Sequence, residues 1–429
     1  MAKRKIPVHN VTPDEVMENK SFCMLPWIHM HITPDGKPLP CCIGNMKYAD
    51  SIGRKDLSIE QMVNSDCMKD LRVKMIKGER HEVCNGCHKI EDTSEGTWSF
   101  RKTVNKKYGK YAGNILRRTD REGHIIEFKM RYFDIRLSHV CNMKCRTCNS
   151  GYSSLWEAED KKQGINFTGD MMHDRNPTKF EEILEHVPYM EECYFAGGEP
   201  LVDDYHYYLL EALIEQGRTD VKLSYNTNLS KLKFKKYDVL ALWEKFDNPV
   251  NVYSSIDHCE ERAEYIRSGT KWEDIEKNIK TLLIEPNVNL QISSTVSMLN
   301  YPTLEYFYRK MLSTGLMPGG DWQLNPVSNP QWISVYNLPQ ELKDKGREGI
   351  ENIIDWVSSD EKIIRMFRKR NYNFEHTISN IKAFPDLVDA NGIGFEPVRP
   401  HFVEETKRLD GLRKEDFVEV FPELRELYE

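Results

Sequence analysis

Cys141-Asn-Met-Lys-Cys145-Arg-Thr-Cys148 places three thiols within eight residues. Cysteine thiolates ligate zinc and iron–sulfur clusters, and three on one loop can face a single point. A fourth would complete a cubane or a tetrahedral zinc site. With three, one iron of a cubane has no protein ligand, and the amino and carboxylate groups of a substrate or cofactor can fill it. A second set lies nearer the start: Cys23, Cys41, Cys42 and Cys84-Asn-Gly-Cys87. Cys67 falls in an expected helix as a packed residue, and Cys193 and Cys259 read as buried bystanders. Eleven cysteines, odd in number, closely spaced and with no export signal ahead, argue against a disulfide framework and for metal. A reducing cytoplasm is the expected setting.

The first three thiols need an element to present them. Residues 131–138 alternate as a strand and end at the cysteine loop, and a helix is expected over 151–163. Further strands are expected at 192–198, 221–228, 251–256, 288–297 and 321–327. Helices are expected between them, at 203–216 ending at Gly217, near 232–246, from a capping box Thr270-x-x-Glu273 to about 284, and near 302–314. This alternation predicts parallel strands with crossover helices. Eight units would complete a barrel of about 250 residues. Six predict a partial (β/α)6 barrel, with a doubly wound sheet as the structural alternative. In either case ligands bind at the C-terminal strand ends, where the motifs fall.

With its spacing and its place after a strand, the Cys141, Cys145, Cys148 loop resembles that of the radical S-adenosylmethionine superfamily. Gly197-Gly198-Glu199-Pro200, one strand later, is similar to the family's GGEP motif. The resemblance implies that the glycines let the backbone approach the cofactor and that Glu199 receives its amino group. Ser255-Ile-Asp257 with Arg267 is similar to the S-x-D…R pattern of peptide-modifying members, in which Ser and Arg hold the cofactor carboxylate. Asn228 stands where members contact the ribose. Thr147 stands where the family usually has an aromatic residue against adenine. The implied chemistry is reductive cleavage of S-adenosylmethionine at a [4Fe-4S] cluster. It yields methionine and a 5′-deoxyadenosyl radical that takes a hydrogen atom from a substrate. The resemblance implies a reductant such as flavodoxin or ferredoxin.

The N-terminal thiols resemble the C-x(9-15)-G-x4-C element of twitch and SPASM domains, which bind auxiliary iron–sulfur clusters. Two strands with Asp35-Gly36 as the turn bring Cys23 and Cys41 together, and Cys84 and Cys87 complete one closed site. There are too few cysteines for two clusters, which favours the shorter twitch form. A four-cysteine zinc site is the alternative. Cys42 is the alternative to Cys41; neighbours on a strand face opposite ways, so one of them coordinates. In most relatives this element follows the barrel, whereas here it precedes it.

The expected organisation is a twitch-like domain at 1–125, the barrel at 126–330, and a mostly helical extension at 331–429. A composition of 39 % hydrophobic and 30 % charged residues allows a sizeable core. A net charge of −7 offers no basic field for nucleic acid, and no apolar run approaches a membrane span. His29 and His31 share a strand face near Cys23 and are expected to pack or lie at the surface, and His139 to shape the cysteine loop. Tyr205 to Tyr208 are expected to pack a helix on the sheet, and the 340–348 stretch to be a solvated helix face. Asp134 and Arg136 share a face of the first strand and either contact substrate or close the barrel floor. Gln323 and Asn325 are expected to face the mouth. The substrate is expected to be a peptide or protein. The alternatives are a small metabolite or nucleotide, or a metal-stapled binding protein without catalysis.

Overall fold

The computed structural model describes residues 12–54, 56–93, 99–166, 177–317, 322–369 and 374–429. Its strands are β1 (His31–Ile32), β2 (Pro38–Leu39), β3 (Tyr132–Ile135), β4 (Lys144–Cys145), β5 (Glu192–Phe195) and β6 (Lys222–Thr227), then β7 (Lys233–Phe234), β8 (Tyr237–Asp238), β9 (Val250–Ser255), β10 (Arg267–Ser268), β11 (Val288–Val296) and β12 (Trp322–Pro326). One eight-stranded sheet has the order β12-β11-β9-β6-β5-β3-β1-β2. From β3 to β12 its members follow chain order without reversal, which is the progression of a barrel wall. A doubly wound sheet reverses at a switch point. The pairs β3–β5, β9–β11, β11–β12 and β1–β3 are parallel, and β1–β2 is antiparallel. All six expected barrel strands are present, and the chain is an α/β fold of the expected partial-barrel kind.

The chain divides into two compact units. The first draws on Met1–Val140, Thr168–Ser224 and Glu244–Asn248; the second on Cys141–Phe167, Tyr225–Trp243 and Pro249–Glu429. In the first, Phe133 of β3 meets Phe195 of β5 with ring centroids 5.7 Å apart, and His206 meets Phe195 edge-on at 4.8 Å. His206 belongs to helix Asp204–Glu215, which Asp203 caps by accepting the Tyr205 N–H. His206 and Tyr207 are buried there, while Tyr205 and the exposed Tyr208 pack against Phe180 of the preceding helix instead of the sheet. In the second unit β9 alternates strictly between buried and half-buried positions. Tyr225 packs on Trp243 and Tyr308 on Trp322. The C-terminal part is helical as expected, with helices Gln340–Ser359 and Arg399–Arg413 among its elements. The 340–348 stretch is not a wholly solvated face. Lys343 and Gly346 are buried, and a Cβ on Gly346 would fall 2.3 Å from the Tyr301 ring.

Two helix expectations fail for local reasons. Residues 233–238 form the hairpin β7–β8, with Lys235 at φ +50°, before a short helix Val239–Trp243. Lys235 and Lys236 turn the chain so that Phe234 pairs with Tyr237, and the left-handed backbone of Lys235 cannot be continued as a helix. The helix after β10 is Trp272–Ile284, and Thr270 does not cap it. The Thr270 hydroxyl turns to Met143 Sδ, and the Glu264 carboxylate accepts the Trp272 N–H at 2.9 Å instead. A capping group from the preceding helix does the work assigned to a local box. Glu264→Ala is therefore expected to lower stability by about 1 kcal/mol, as the loss of an N-terminal cap does, read as an earlier unfolding midpoint in urea.

Candidate functional site

The Cys141–Cys148 loop belongs to the second unit. Its middle is not free loop. Lys144–Cys145 pairs antiparallel with Arg267–Ser268, placing Arg267 opposite Cys145. Gly269, at φ +102°, allows this approach, since a Cβ there would fall 3.0 Å from the Asn142 carbonyl oxygen. The Ser153 hydroxyl donates to the Met143 carbonyl at 2.6 Å, and the Trp156 indole N–H donates to the Cys145 carbonyl at 2.8 Å. The Cys148 N–H closes a turn onto the Cys145 carbonyl at 3.0 Å.

Within this unit Arg267 Nη1 lies 3.7 Å from Cys145 Sγ, while Nη2 donates to Asp257 Oδ1 at 2.9 Å. Nε and Asp257 Oδ2 are 2.8 Å apart but out of line for a hydrogen bond, so this contact is ionic. Asp257 Oδ1 also accepts the Thr295 N–H at 2.7 Å, which ties the pair to β11. Asn228 Nδ2 donates to Asn142 Oδ1 at 3.0 Å, and Asn142 Nδ2 donates to Ser230 Oγ at 2.8 Å. Asn228 is thus joined to the cysteine loop itself. Ser255, at the end of β9, is half-buried and in register with Ser293 of β11. Gln323 and Asn325 are exposed, and Asn325 donates to Ser293 Oγ at 2.9 Å. Burial pushes the Cys148 thiol up to about 12. It raises Cys145 as well, against the pull of the Arg267 guanidinium.

The Gly197–Pro200 turn belongs to the first unit and lies on the segment that leads into Cys141. The Gly198 N–H donates to the Ser138 carbonyl at 3.2 Å and the Glu199 N–H to the Val140 carbonyl at 2.7 Å. A Cβ on Gly198 would fall 2.2 Å from that Val140 oxygen, and Gly197 has φ +131°. Both positions therefore require glycine. Glu199 Oε1 accepts the Leu201 N–H at 3.0 Å, with Pro200 opening the short turn that follows. Ser138 is held in turn by Asp203, hydroxyl to carboxylate, at 2.6 Å.

The N-terminal thiols also lie in the first unit. The expected hairpin forms, with His31 opposite Leu39 and Gly36 at φ +79°. Cys23 is not on it; it precedes a short helix, Leu25–Ile28. Cys41 and Cys42 follow β2 in a turn, so strand alternation cannot choose between them. Their surroundings differ. Cys41 is raised by burial and then by the neighbouring thiols Cys42, Cys84 and Cys23. Burial pushes Cys42 up to about 11, and its next influences are Asp134 and Arg136. Cys84 and Cys23 thus act on Cys41 ahead of any charged side chain, whereas Asp134 and Arg136 act on Cys42 ahead of Cys87. The Asn45 N–H donates to the Val83 carbonyl at 3.0 Å and joins this turn to the Cys84–Cys87 segment. Burial pushes Cys23 up to about 12, opposed by Arg101. Arg101 is buried against Glu91 at 2.6 Å and donates to the Phe22 carbonyl at 2.9 Å.

His29 and His31 are both buried, not at the surface. The His29 Nδ1–H donates to the Tyr132 carbonyl at 2.8 Å, and burial pushes its pKa down to about 4. His31 Nδ1 is 3.1 Å from Asp134 Oδ2, and Arg136 Nη2 is 2.9 Å from Asp134 Oδ1. Asp134 thus sits fully buried between a histidine and an arginine.

The donor sets suit thiolate-bound clusters. Each unit holds buried or half-buried candidate cysteines outside any disulfide, on segments pinned by hydrogen bonds, and a cluster's iron deprotonates thiols that would otherwise stay protonated. Among the described residues no group of three His, Cys, Asp or Glu side chains closes around the point of a single metal ion. Arg146, Asn142 and Gly269 were not singled out by their sequence. The one available signal is Arg146 itself, a permanent charge inside a buried cysteine loop that must find carboxylates.

Residues 135–304 match the radical SAM superfamily, and residues 23–88 match an iron–sulfur cluster-binding domain, SPASM. The first brings a [4Fe-4S] cluster with S-adenosylmethionine, the second an auxiliary iron–sulfur cluster in place of zinc. No curated protein matches the chain. Among solved structures it is similar to anSMEcpe with bound AdoMet, at 17 % identity and TM-score 0.39, over 53 % of this chain and 60 % of that one. For anSMEcpe with bound AdoMet and the Kp18Cys peptide the values are 18 % and 0.38, over 52 % and 59 %. For Streptococcus suis SuiB bound to S-adenosylmethionine they are 15 % and 0.38, over 69 % and 64 %. The chain thus spans less than two thirds of these solved proteins. Gly198→Ala is expected to displace residues 138–140, and with them Cys141. Overpacking of this kind costs about 1–3 kcal/mol. The measurement is iron retained per chain after anaerobic reconstitution and desalting, which should fall relative to wild type.

Proposed function

We propose, since this chain belongs to the radical S-adenosylmethionine superfamily, that it cleaves S-adenosylmethionine reductively and uses the resulting carbon radical to take a hydrogen atom from a peptide or protein. The observation that carries the reading is the Cys141, Cys145, Cys148 loop, with Arg267 set between Cys145 and Asp257. When bound, the [4Fe-4S] cluster supplies one electron and one iron open to the amino and carboxylate groups of S-adenosylmethionine. Cys141, Cys145 and Cys148 would hold it. The backbone and carboxylate of Glu199, in the turn that Gly197, Gly198 and Pro200 allow, would receive the amino group. Ser255 and Arg267 would take the carboxylate, with Asp257 orienting the guanidinium from its other edge. Asp257 occupies Nη2 and lies against Nε, so the Nη1 end that faces Cys145 Sγ is the part of Arg267 that would meet the carboxylate. Asn228 would meet the ribose while steadying Asn142.

Cys23, Cys41, Cys84 and Cys87 would ligate the auxiliary cluster. The thiols around Cys41 support this choice over Cys42. The S-x-D…R pattern together with the SPASM segment supports a peptide or protein substrate. A low-potential reductant, flavodoxin or ferredoxin, would supply the electron. No helix among the described residues is long and apolar enough to cross a membrane.

Anaerobically reconstituted and reduced wild type is expected to form 5′-deoxyadenosine from S-adenosylmethionine, and a Cys141/Cys145/Cys148→Ala variant none. A wild type that carries its clusters and forms no product, even with candidate peptides present, would defeat this reading. Two cubanes hold about eight irons per chain. The triple variant should keep about half, Cys41→Ser should lose the other half, and Cys42→Ser should lose none.

A further inference from the structure

Part of the C-terminal helical segment lies beside the cysteine loop, within the same unit. Helix Arg399–Arg413 stops at Lys414, whose left-handed backbone, φ +56° and ψ +45°, turns the chain back. This turn presents Asp410 and Glu415 together. Arg146, between Cys145 and Cys148, points into the space between them and is 1 % exposed. Its Nη2 is 2.5 Å from Asp410 Oδ1 and 2.6 Å from Glu415 Oε2, and its Nε donates to the Tyr265 carbonyl at 3.2 Å. The guanidinium also lies 3.6 Å from the Tyr265 ring centroid. The same carboxylates hold the segment that leads into and through β10. Asp410 accepts the Tyr265 hydroxyl at 2.8 Å, and Glu415 accepts the Ser268 hydroxyl at 3.0 Å. Between these two anchors stands Arg267, the residue set against Cys145 Sγ. On the other side of the loop, Lys144 and Arg413 share the Glu159 carboxylate.

We propose that Asp410 and Glu415 are positioning residues for the radical cluster: by clamping Arg146, Tyr265 and Ser268 they fix Cys145 and Arg267 for binding S-adenosylmethionine. The inference rests on the function proposed above. An arginine cannot shed its charge, so losing its carboxylates leaves a buried cation with no counter-charge, and the loop must move to relieve it. Such movement alters the spacing of Cys145, Cys148 and Arg267 together. The N-terminal thiols lie in the other unit and take no part in the clamp.

The test uses the full chain, reconstituted anaerobically and reduced, with its electron paramagnetic resonance spectrum followed as S-adenosylmethionine is added. In wild type the signal of the radical cluster shifts as the cofactor binds. In Asp410→Asn/Glu415→Gln that shift is expected to need at least tenfold more S-adenosylmethionine, while the auxiliary-cluster signal keeps its shape and intensity. Asp410→Glu, which keeps the carboxylate, should recover most of the response. Should the double variant fail to fold, Arg146→Lys replaces it. That variant retains the charge, loses the fork and the ring stacking, and should weaken the response several-fold. Variants that titrate like wild type would overturn the clamp and leave the proposed function standing. A wild type with clusters but no response to S-adenosylmethionine would overturn the function itself, and the clamp with it.

Discussion

Cys141, Cys145 and Cys148 lie on a stretch with almost no regular structure of its own, and the need to hold that stretch organises its surroundings. A closed four-cysteine site gains its geometry from the metal it binds. An open site must get more of it from the protein. Here the loop has no regular structure beyond the two residues of β4, so side chains and neighbouring backbone fix it. The approach to Cys141 is fixed by Gly198, where no Cβ fits against Val140. The middle is fixed by β10, brought close because Gly269 has no side chain, and the end by the Cys145–Cys148 turn.

The N-terminal set meets the opposite condition. Its cysteines come from three separate segments: a stretch before a short helix, a turn after a hairpin, and a turn that runs into the helix Asn85–Thr93. Chain entropy opposes gathering them, and buried polar contacts offset it. Arg101 and Asn105 both donate to the Phe22 carbonyl, beside Cys23, and Asn105 accepts the Met24 N–H at 2.9 Å. One helix face thus fixes the backbone on both sides of Cys23.

The strands were legible because their alternation is local: each barrel strand lies where its period of two predicts. The cysteine loop and Gly197-Gly198 were legible because motif and strand end coincide. What failed depended on partners distant in the chain or on a backbone state that no pattern announces. The cap of Trp272–Ile284 comes from Glu264, in the preceding helix, so Thr270 was a plausible but wrong choice. The alternation rule could not sort Cys41 from Cys42, because β2 ends at Leu39. His29 and His31 do pack, which is one of their two expected roles, but their partners Tyr132 and Asp134 lie on β3, about a hundred residues further on. The partners of Arg146 were not legible for the same reason, its carboxylates lying 264 and 269 residues away.

The composition of the surroundings of that loop carries one more step. Three cations, Lys144, Arg146 and Arg413, face three carboxylates, Glu159, Asp410 and Glu415. Buried ion pairs are poor sources of stability, since desolvation consumes most of the attraction and well-packed apolar side chains would serve as well. Their advantage is direction: a guanidinium has fixed donor vectors, and an apolar side chain has none. A site needing thiols held to fractions of an ångström gains more from direction than from net stability. The charges also balance within the set, so it adds little net field at the thiols. The field there is left to the Arg267–Asp257 pair, whose cationic end faces Cys145.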